Sequence, residues 1–434
     1  MNNTSVLGIS LSQGIKPGHL YAYLIVALVS SGYAGAMAVM QPGLLQVMGI
    51  PQDQQATLTG NLSAMQELVF IVALGLYGVV SDRMGRKPVY VFGLLTTAMG
   101  FFLYPTASDI TELVFYRLFV AVGSAAMVGM MVTVIADYSV NETRGKANGV
   151  QGFVATIGAF IPPILGALPQ QFVGAGYSEQ LAQQFTFAIA GSLGVFAAAV
   201  AWIGLAPMAT RAIENAGESM WAMLAKGAAA ARNPGIALSY GASFISRGDL
   251  AVTGAFMGLW LVQHGVSELG LSPSEATGQL AVPAILTVVT GALLGSVMMG
   301  FIADKISRVA AVTFAPGLAA LVYLGVFLIG DPTAPWVKVL LFVMGVAEIS
   351  AFVSSQALVG EQAESDRRGA IMGFFGVAGA VGILIGTSGG GYLYAHLGPS
   401  APFVLFGLLN SVVFLWSIAI ANKVPVPDFR EQSA

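Results

Sequence analysis

Twelve times along this chain the sequence runs apolar for about 20 residues or more, and that repetition limits the fold more than any short motif does. An α-helix rises about 1.5 Å per residue, so a run of about 20 crosses a hydrocarbon core of about 30 Å. The runs lie near residues 19–43, 57–80, 89–106, 112–136, 147–169 and 184–208, then near 236–263, 278–302, 309–330, 336–358, 370–395 and 401–422. They do not alternate apolar and polar residues with a period of two, as the strands of a membrane barrel would. Only 9% of the residues are charged, against about 25% in soluble domains. The chain therefore reads as an all-α membrane protein with twelve transmembrane helices.

Charge placement orients it. Short cytoplasmic loops collect Lys and Arg, and every basic residue except Arg117, Arg247 and Lys338 falls in the N-terminal tail, in alternate loops or in the C-terminal tail. Both termini are thus expected in the cytoplasm, with the protein in the cytoplasmic (inner) membrane. Lys338 sits at an outer span edge, where its stem can snorkel. The polar start carries only Lys16 as a charge and lacks the pattern of a removable signal peptide. The longest inner loop divides the chain into an N-terminal six-helix bundle (1–208), a cytoplasmic linker (209–235) and a C-terminal six-helix bundle with a short tail (236–434). The linker segment SMWAMLAKGAAAA fits a helix on the inner membrane surface or an ordinary linker helix.

The two sets of six resemble each other. Gly78, Asp82, Arg83 and Arg86 recur as Gly300, Asp304, Lys305 and Arg308. Asp137, Arg144 and Gly149 recur as Glu361, Arg368 and Gly373, at a constant offset of 224 (361 − 137). The same offset carries Gly158, Pro162, Pro163 and Gly166 onto Gly382, Gly386, Thr387 and Gly390. Parallel six-span repeats are a transporter design in which two bundles rock about a midplane site.

With these residues in view, the whole chain resembles the major facilitator superfamily, in its bacterial form. The motif G-x-x-x-D-R-x-G-R-K stands intact as Gly78, Asp82, Arg83, Gly85, Arg86 and Lys87. YRLFVAVGSAA is similar to the family's fourth-span arginine motif, with Arg117 in the arginine position and Ala121 where glycine is usual. GAFIPPILGA is similar to a fifth-span motif of antiporters; Gly158, Pro163 and Gly166 fit it, while Pro162 and Ala167 depart. The resemblance implies two pseudo-symmetric bundles, alternating access and a cavity lined by spans 1, 4, 7 and 10. It also implies a cytoplasmic gate made by Asp82 and Arg86 with Asp137, and by Asp304 and Arg308 with Glu361, while Arg144 and Arg368 accompany them. Gly78 and Gly85 would allow close approach or a tight turn. The small residues of spans 5 and 11 suggest packing between the bundles.

Five charges lie deep in the apolar runs: Glu67, Arg117, Arg247, Asp249 and Glu348. Each costs about 2.5 to 3.5 kcal/mol at mid-depth on insertion scales, and such residues mark ion or substrate paths. Arg247 and Asp249 are 200° apart on an ideal helix and do not simply neutralise each other; Arg247 is expected to meet Glu348. Three acids against two bases leave one carboxyl in excess, and a dry site favours the protonated form of a carboxyl. These five are the candidates for proton coupling or substrate binding. Tyr33, Met37 and Gln41 recur at helical spacing on the first span and are candidate cavity-wall residues.

Other chemistries lack residues. There is no cysteine, which removes disulfides, thiolate metal sites and cysteine nucleophiles. His19, His264 and His396 show no metal-ligand spacing, and no phosphate-binding G-x-x-x-x-G-K-[ST] occurs. GTSGG at Gly386 matches a nucleophile pattern but sits in a membrane span rather than at a strand-to-helix turn. Neither enzyme activity, a cofactor, a metal nor a nucleic-acid partner is expected. The expected function is secondary transport of a small organic solute by a monomer in the bilayer, coupled to protons. Antiport with export is favoured; proton symport importing an organic anion is the alternative, and a non-transporting receptor or scaffold is the reading from another class.

Overall fold

The structure, a computed structural model, describes residues 5–207, 220–364 and 367–424. Among them, twelve helices are long and apolar enough to cross a membrane: Pro17–Val47, Gln52–Met84, Arg86–Thr106, Ile110–Tyr138, Arg144–Gly174, Glu179–Gly204, Pro234–Ser267, Pro273–Ala303, Arg308–Leu328, Pro335–Gln362, Arg368–Leu397 and Ala401–Lys423. They are numbered here as spans 1 to 12, and they bear out the all-α, twelve-span reading. Most run a few residues past the apolar stretches, because polar residues end a helix by capping it rather than by changing its hydropathy. Asp109 accepts from the Glu112 N–H at the start of span 4, and Ser307 accepts from the Ala310 N–H at the start of span 9. Gly85, with φ 91°, makes the turn between spans 2 and 3, a conformation that a side chain would strain.

The chain divides into two compact units. Unit 1 comprises Met1–Pro51, Met65–Asn215 and Val262–Pro283; unit 2 comprises Gln52–Ala64, Ala216–Leu261 and Ala284–Ala434. The division leaves chain order at the ends of spans 2, 7 and 8.

Inside each unit the same helix pair packs without side chains between backbones. A Cβ on Gly158 of span 5 would strike the Leu28 carbonyl of span 1, and one on Gly382 of span 11 would strike the Phe244 carbonyl of span 7. Gly166 is placed likewise against Val39, and a Cβ on Gly390 would stand 2.7 Å from the Phe256 ring. Each row thus faces the first span of its own half, where only a hydrogen fits, and also meets a span of the other half as expected: a Gly166 Cβ would stand 3.1 Å from Val282 of span 8 in unit 1, and one on Gly391 would stand 2.6 Å from the Ala56 carbonyl of span 2 in unit 2.

Both copies of this region interrupt the regular helix, by different means. Span 5 breaks between Arg144–Gly158 and Ile161–Gly174, just ahead of Pro162 and Pro163, which cannot donate backbone hydrogen bonds. Span 11 carries no proline there and instead widens into a π turn at Ile385–Gly389. Further π turns lie at Thr253–Met257 in span 7 and Thr277–Ala281 in span 8; such turns occur often at functional sites.

The N-terminal segment, expected only as a polar start, is a docked hairpin in unit 1. Ser5–Val6 pairs with Ile9–Ser10 across Leu7 and Gly8, whose φ values of 54° and 74° suit the tight turn such hairpins need. Ile9 and Leu11 are buried, and Ser12 N–H donates to the Tyr138 carbonyl at 2.9 Å. In the linker, residues 208–219 lie outside the described part, and Met220–Ala229 is helical. Gly227 of that helix lies against the Ala370 carbonyl, and Tyr240 donates to the Gly227 carbonyl at 2.8 Å. The linker helix is therefore seated on the start of span 11.

Candidate functional site

Buried charge is where a membrane helix bundle departs from what packing alone requires. Among the described residues of unit 2 two carboxyl groups are buried, and both are held by neutral side chains. Asp249 of span 7, wholly buried, accepts through both oxygens from Asn410 Nδ2 of span 12, at 2.9 and 3.0 Å. The same Nδ2 donates to the Phe406 carbonyl at 2.9 Å, and Asn410 Oδ1 is buried without a partner. One turn on from Asp249, Thr253 begins the π turn and donates to Glu348 Oε1 at 2.5 Å. Tyr323 of span 9 donates to the same oxygen at 2.5 Å, and its hydroxyl lies 2.8 Å from that of Thr253.

The expected contact between Arg247 and Glu348 is not made. Spans 7 and 10 run antiparallel: Arg247 stands over the Phe352 ring, 5.6 Å from its centre, while Thr253 meets Glu348. Arg247 is six residues from Thr253, about 9 Å along the helix, so the register puts the arginine more than one turn beyond the carboxyl. Its Cδ lies 2.8 Å from where a Gly379 Cβ would be, and its buried Nε has no partner.

Unit 1 holds the opposite charge. Arg117 of span 4 is 5% exposed. Its Nη1 donates to Gln41 Oε1 at 3.4 Å, and its guanidinium lies 6.0 Å from the centre of the Tyr104 ring. Tyr104 donates to Gln41 Oε1 at 2.8 Å. Of the other span 1 candidates, Tyr33 donates to the Ala190 carbonyl and lies 4.8 Å from the Phe101 ring, and Met37 is buried. Glu67 is half-buried in span 2.

The internal repeat provides a control for each cluster. Spans 1 and 7 share SSG and SRG at an offset of 216 (248 − 32), and spans 6 and 12 share Gly191 and Gly407 at the same offset. On these registers Asp249 and Asn410 fall on Tyr33 and Gly194, where a Gly194 Cβ would strike the Tyr33 hydroxyl. Glu348 falls on Ser124 at the offset of 224, and Tyr323 on Phe101 at 222 (308 − 86). The fold is thus built once without either acid.

The gate residues also form clusters within their units. Arg86 bonds Asp82 at 2.5 Å, Asp137 at 3.0 Å and the Ser81 hydroxyl. This cluster borders a cavity of about 970 Å³ that Lys16, His19 and Arg144 also line. In unit 2, Arg308 meets Glu361 at 3.5 Å and donates to the Ala303 carbonyl. The Asp304 side chain lies outside the described part. Arg83, Arg144 and Arg368 are exposed; Arg368 donates to the Gly360 carbonyl, and Lys87 donates to the Leu205 carbonyl. A Cβ on Gly78 would meet nothing within 4 Å, so the close approach expected there is not present among the described residues.

Thr253, Tyr323 and Asn410 are the residues that the sequence reading missed. Asn410 gave the clearest signal, as an amide in the middle of the apolar run LFGLLNSVVFLW.

Comparison with known proteins accords with this architecture. The sequence model of the Major Facilitator Superfamily matches residues 21–387 and 240–433. Magnetosome protein MamH of Paramagnetospirillum magneticum is 23% identical over 419 residues, covering 93% of each chain. Magnetosome protein MamZ of Magnetospirillum gryphiswaldense is 25% identical over 418 residues; the match covers 93% of this chain and 62% of that longer relative. Among solved structures, the nucleoside transporter NupG superposes with a TM-score of 0.72 at 14% identity, over 93% of this chain and 98% of its own. At that identity the likeness speaks for the fold alone.

Proposed function

This chain belongs to the major facilitator superfamily and carries a small-molecule solute across a membrane; we propose that the solute is organic and that its movement is coupled to protons by alternating access. The observation that carries this reading is the pair of buried acids in unit 2 whose partners are all neutral. An arginine or lysine partner would fix a carboxylate in its charged form. A hydroxyl or an amide does not, because hydroxyls both donate and accept and an amide carries both functions. Tyr323 and Thr253 donate to Glu348 when it is ionised and can turn to accept when it is protonated. Asn410 offers its Nδ2 to an ionised Asp249, and a turn of the amide brings its unpartnered Oδ1 to a protonated one. Each acid can therefore keep a hydrogen-bond partner in both its charged and its protonated form.

The partial fifth-span motif favours antiport with export, and the arrangement of basic loops favours both termini in the cytoplasm. Symport is the second reading, favoured by Arg117 and Arg247, which meet no acidic partner among the described residues. The likeness to two magnetosome proteins over 93% of this chain also supports a location at the magnetosome, to be decided by membrane fractionation. The test of the function is a solute screen in proteoliposomes with an imposed pH gradient. Accumulation that follows the gradient, with or against the proton, supports the reading and fixes antiport or symport. Flux indifferent to the gradient removes the coupling.

A further inference from the structure

We propose that Arg117, held by Gln41 and Tyr104, is the point at which the carried solute binds through an anionic group, a carboxylate or a phosphate; this rests on the chain being a carrier. The charge comes first. A guanidinium stays ionised in a protein and carries five N–H donors, and burying it without a counter-charge costs several kcal/mol. Arg117 is 5% exposed, and among the described residues no carboxylate pairs with it. The acids earlier in its own helix are already engaged: Asp109 caps the helix through the Glu112 N–H, and Glu112 accepts from the Ser108 N–H. The groups that do meet the arginine, Gln41 Oε1 and the Tyr104 ring, are neutral, and its Nε has no acceptor. Tyr104 and Gln41 are bonded to each other, so the guanidinium rests against a prebuilt support rather than a floating side chain.

Packing does not call for these groups. In unit 2 the position of Arg117 is Leu341 at the offset of 224, and that of Tyr104 is Val326 at 222, both buried. The short 3-10 turns Tyr104–Thr106 and Val326–Leu328 coincide on the same register. Gln41 falls on Met257 at the offset of 216, the last residue of the π turn. The same architecture is therefore closed with aliphatic side chains in one unit and with a cation, an amide and a phenol in the other. A planar fork with unfilled donors matches carboxylate and phosphate oxygens, which accept two parallel N–H bonds.

The test uses the purified full-length protein in detergent. Thermal unfolding is followed with about 10 mM of each member of a panel of small carboxylates and phosphates, headed by succinate and inorganic phosphate, against sodium chloride of equal ionic strength and uncharged succinamide. The expected result is a rise of at least about 2 °C with one class of anion in the wild type and no rise in Arg117→Leu or Arg117→Gln. Succinate and phosphate separate the two chemistries. Without ligand, Arg117→Leu is expected to unfold at or above the wild-type temperature, as its twin position suggests. Three outcomes overturn the site: no anion of the panel stabilises the protein, the rise survives in both variants, or Arg117→Leu is strongly destabilised without ligand. A neutral or cationic solute transported in the proteoliposome screen overturns the anionic site and leaves the carrier reading standing; absence of any transported solute counts against the carrier reading itself.

Discussion

Tyr323→Phe removes one hydroxyl and nothing else, and the geometry around it fixes what should be lost. The hydroxyl lies 2.5 Å from Glu348 Oε1 and 2.8 Å from Thr253 Oγ1, and Tyr323 is wholly buried. A hydrogen bond to a charged group contributes about 1.5 to 3 kcal/mol and a neutral one about 0.5 to 1.5. Thr253 spends its one hydroxyl hydrogen on Glu348, so the phenol loses a single bond, the carboxyl is not orphaned, and the loss should fall near the lower end, about 1.5 to 2 kcal/mol. In a Glu348→Gln background the acceptor Oε1 remains but the charge does not, so the same tyrosine change should cost only about 0.5 to 1 kcal/mol. The coupling between the two positions is then about 1 kcal/mol, within the range seen for residues in one network. Chemical unfolding of the four proteins in detergent, read by circular dichroism, measures it. An equal cost of Tyr323→Phe in both backgrounds would refute a bond from this phenol to the acid.

Two further outcomes follow from the packing and the gate. Gly382→Val should destabilise unit 2 by at least about 1 to 3 kcal/mol, since its side chain runs into the Phe244 backbone, whereas Gly376→Ala in the same span meets nothing within 4 Å and should gain up to about 1 kcal/mol; thermal unfolding separates them. Arg86→Ala should lower stability and slow transport relative to the unaltered protein, because Arg86 holds two carboxylates and a hydroxyl. These groups are partly exposed, so the stability losses should stay near about 1 kcal/mol, and the comparison is read best from initial uptake rates.

The fold was legible because lipid imposes its rule on every residue of a span: a helix must be apolar over its whole length, and twelve such runs leave little choice. The ends were less legible, since Asp109 and Ser307 stop the helices by local hydrogen bonds that hydropathy does not register. The deep charges could be read off one by one, but their partners could not. Whether Glu348 meets Arg247 or Thr253 depends on the register of spans 7 and 10, and a difference of less than two turns decides it. Asn410 and Tyr323 come from spans 12 and 9, far in sequence from the acids they hold. The N-terminal hairpin rests on Leu7 in a left-handed conformation, for which a lone leucine gives no warning.

The claim on which the account depends is that Asp249 and Glu348 exchange protons during transport. It is met most directly by proteoliposomes holding Asp249→Asn or Glu348→Gln, assayed for accumulation of the identified solute under a pH gradient and, separately, for exchange of labelled against unlabelled solute without one. The account expects at least one variant to keep exchange and to lose accumulation. If both variants concentrate the solute as the unaltered protein does, the buried acids are not the coupling groups.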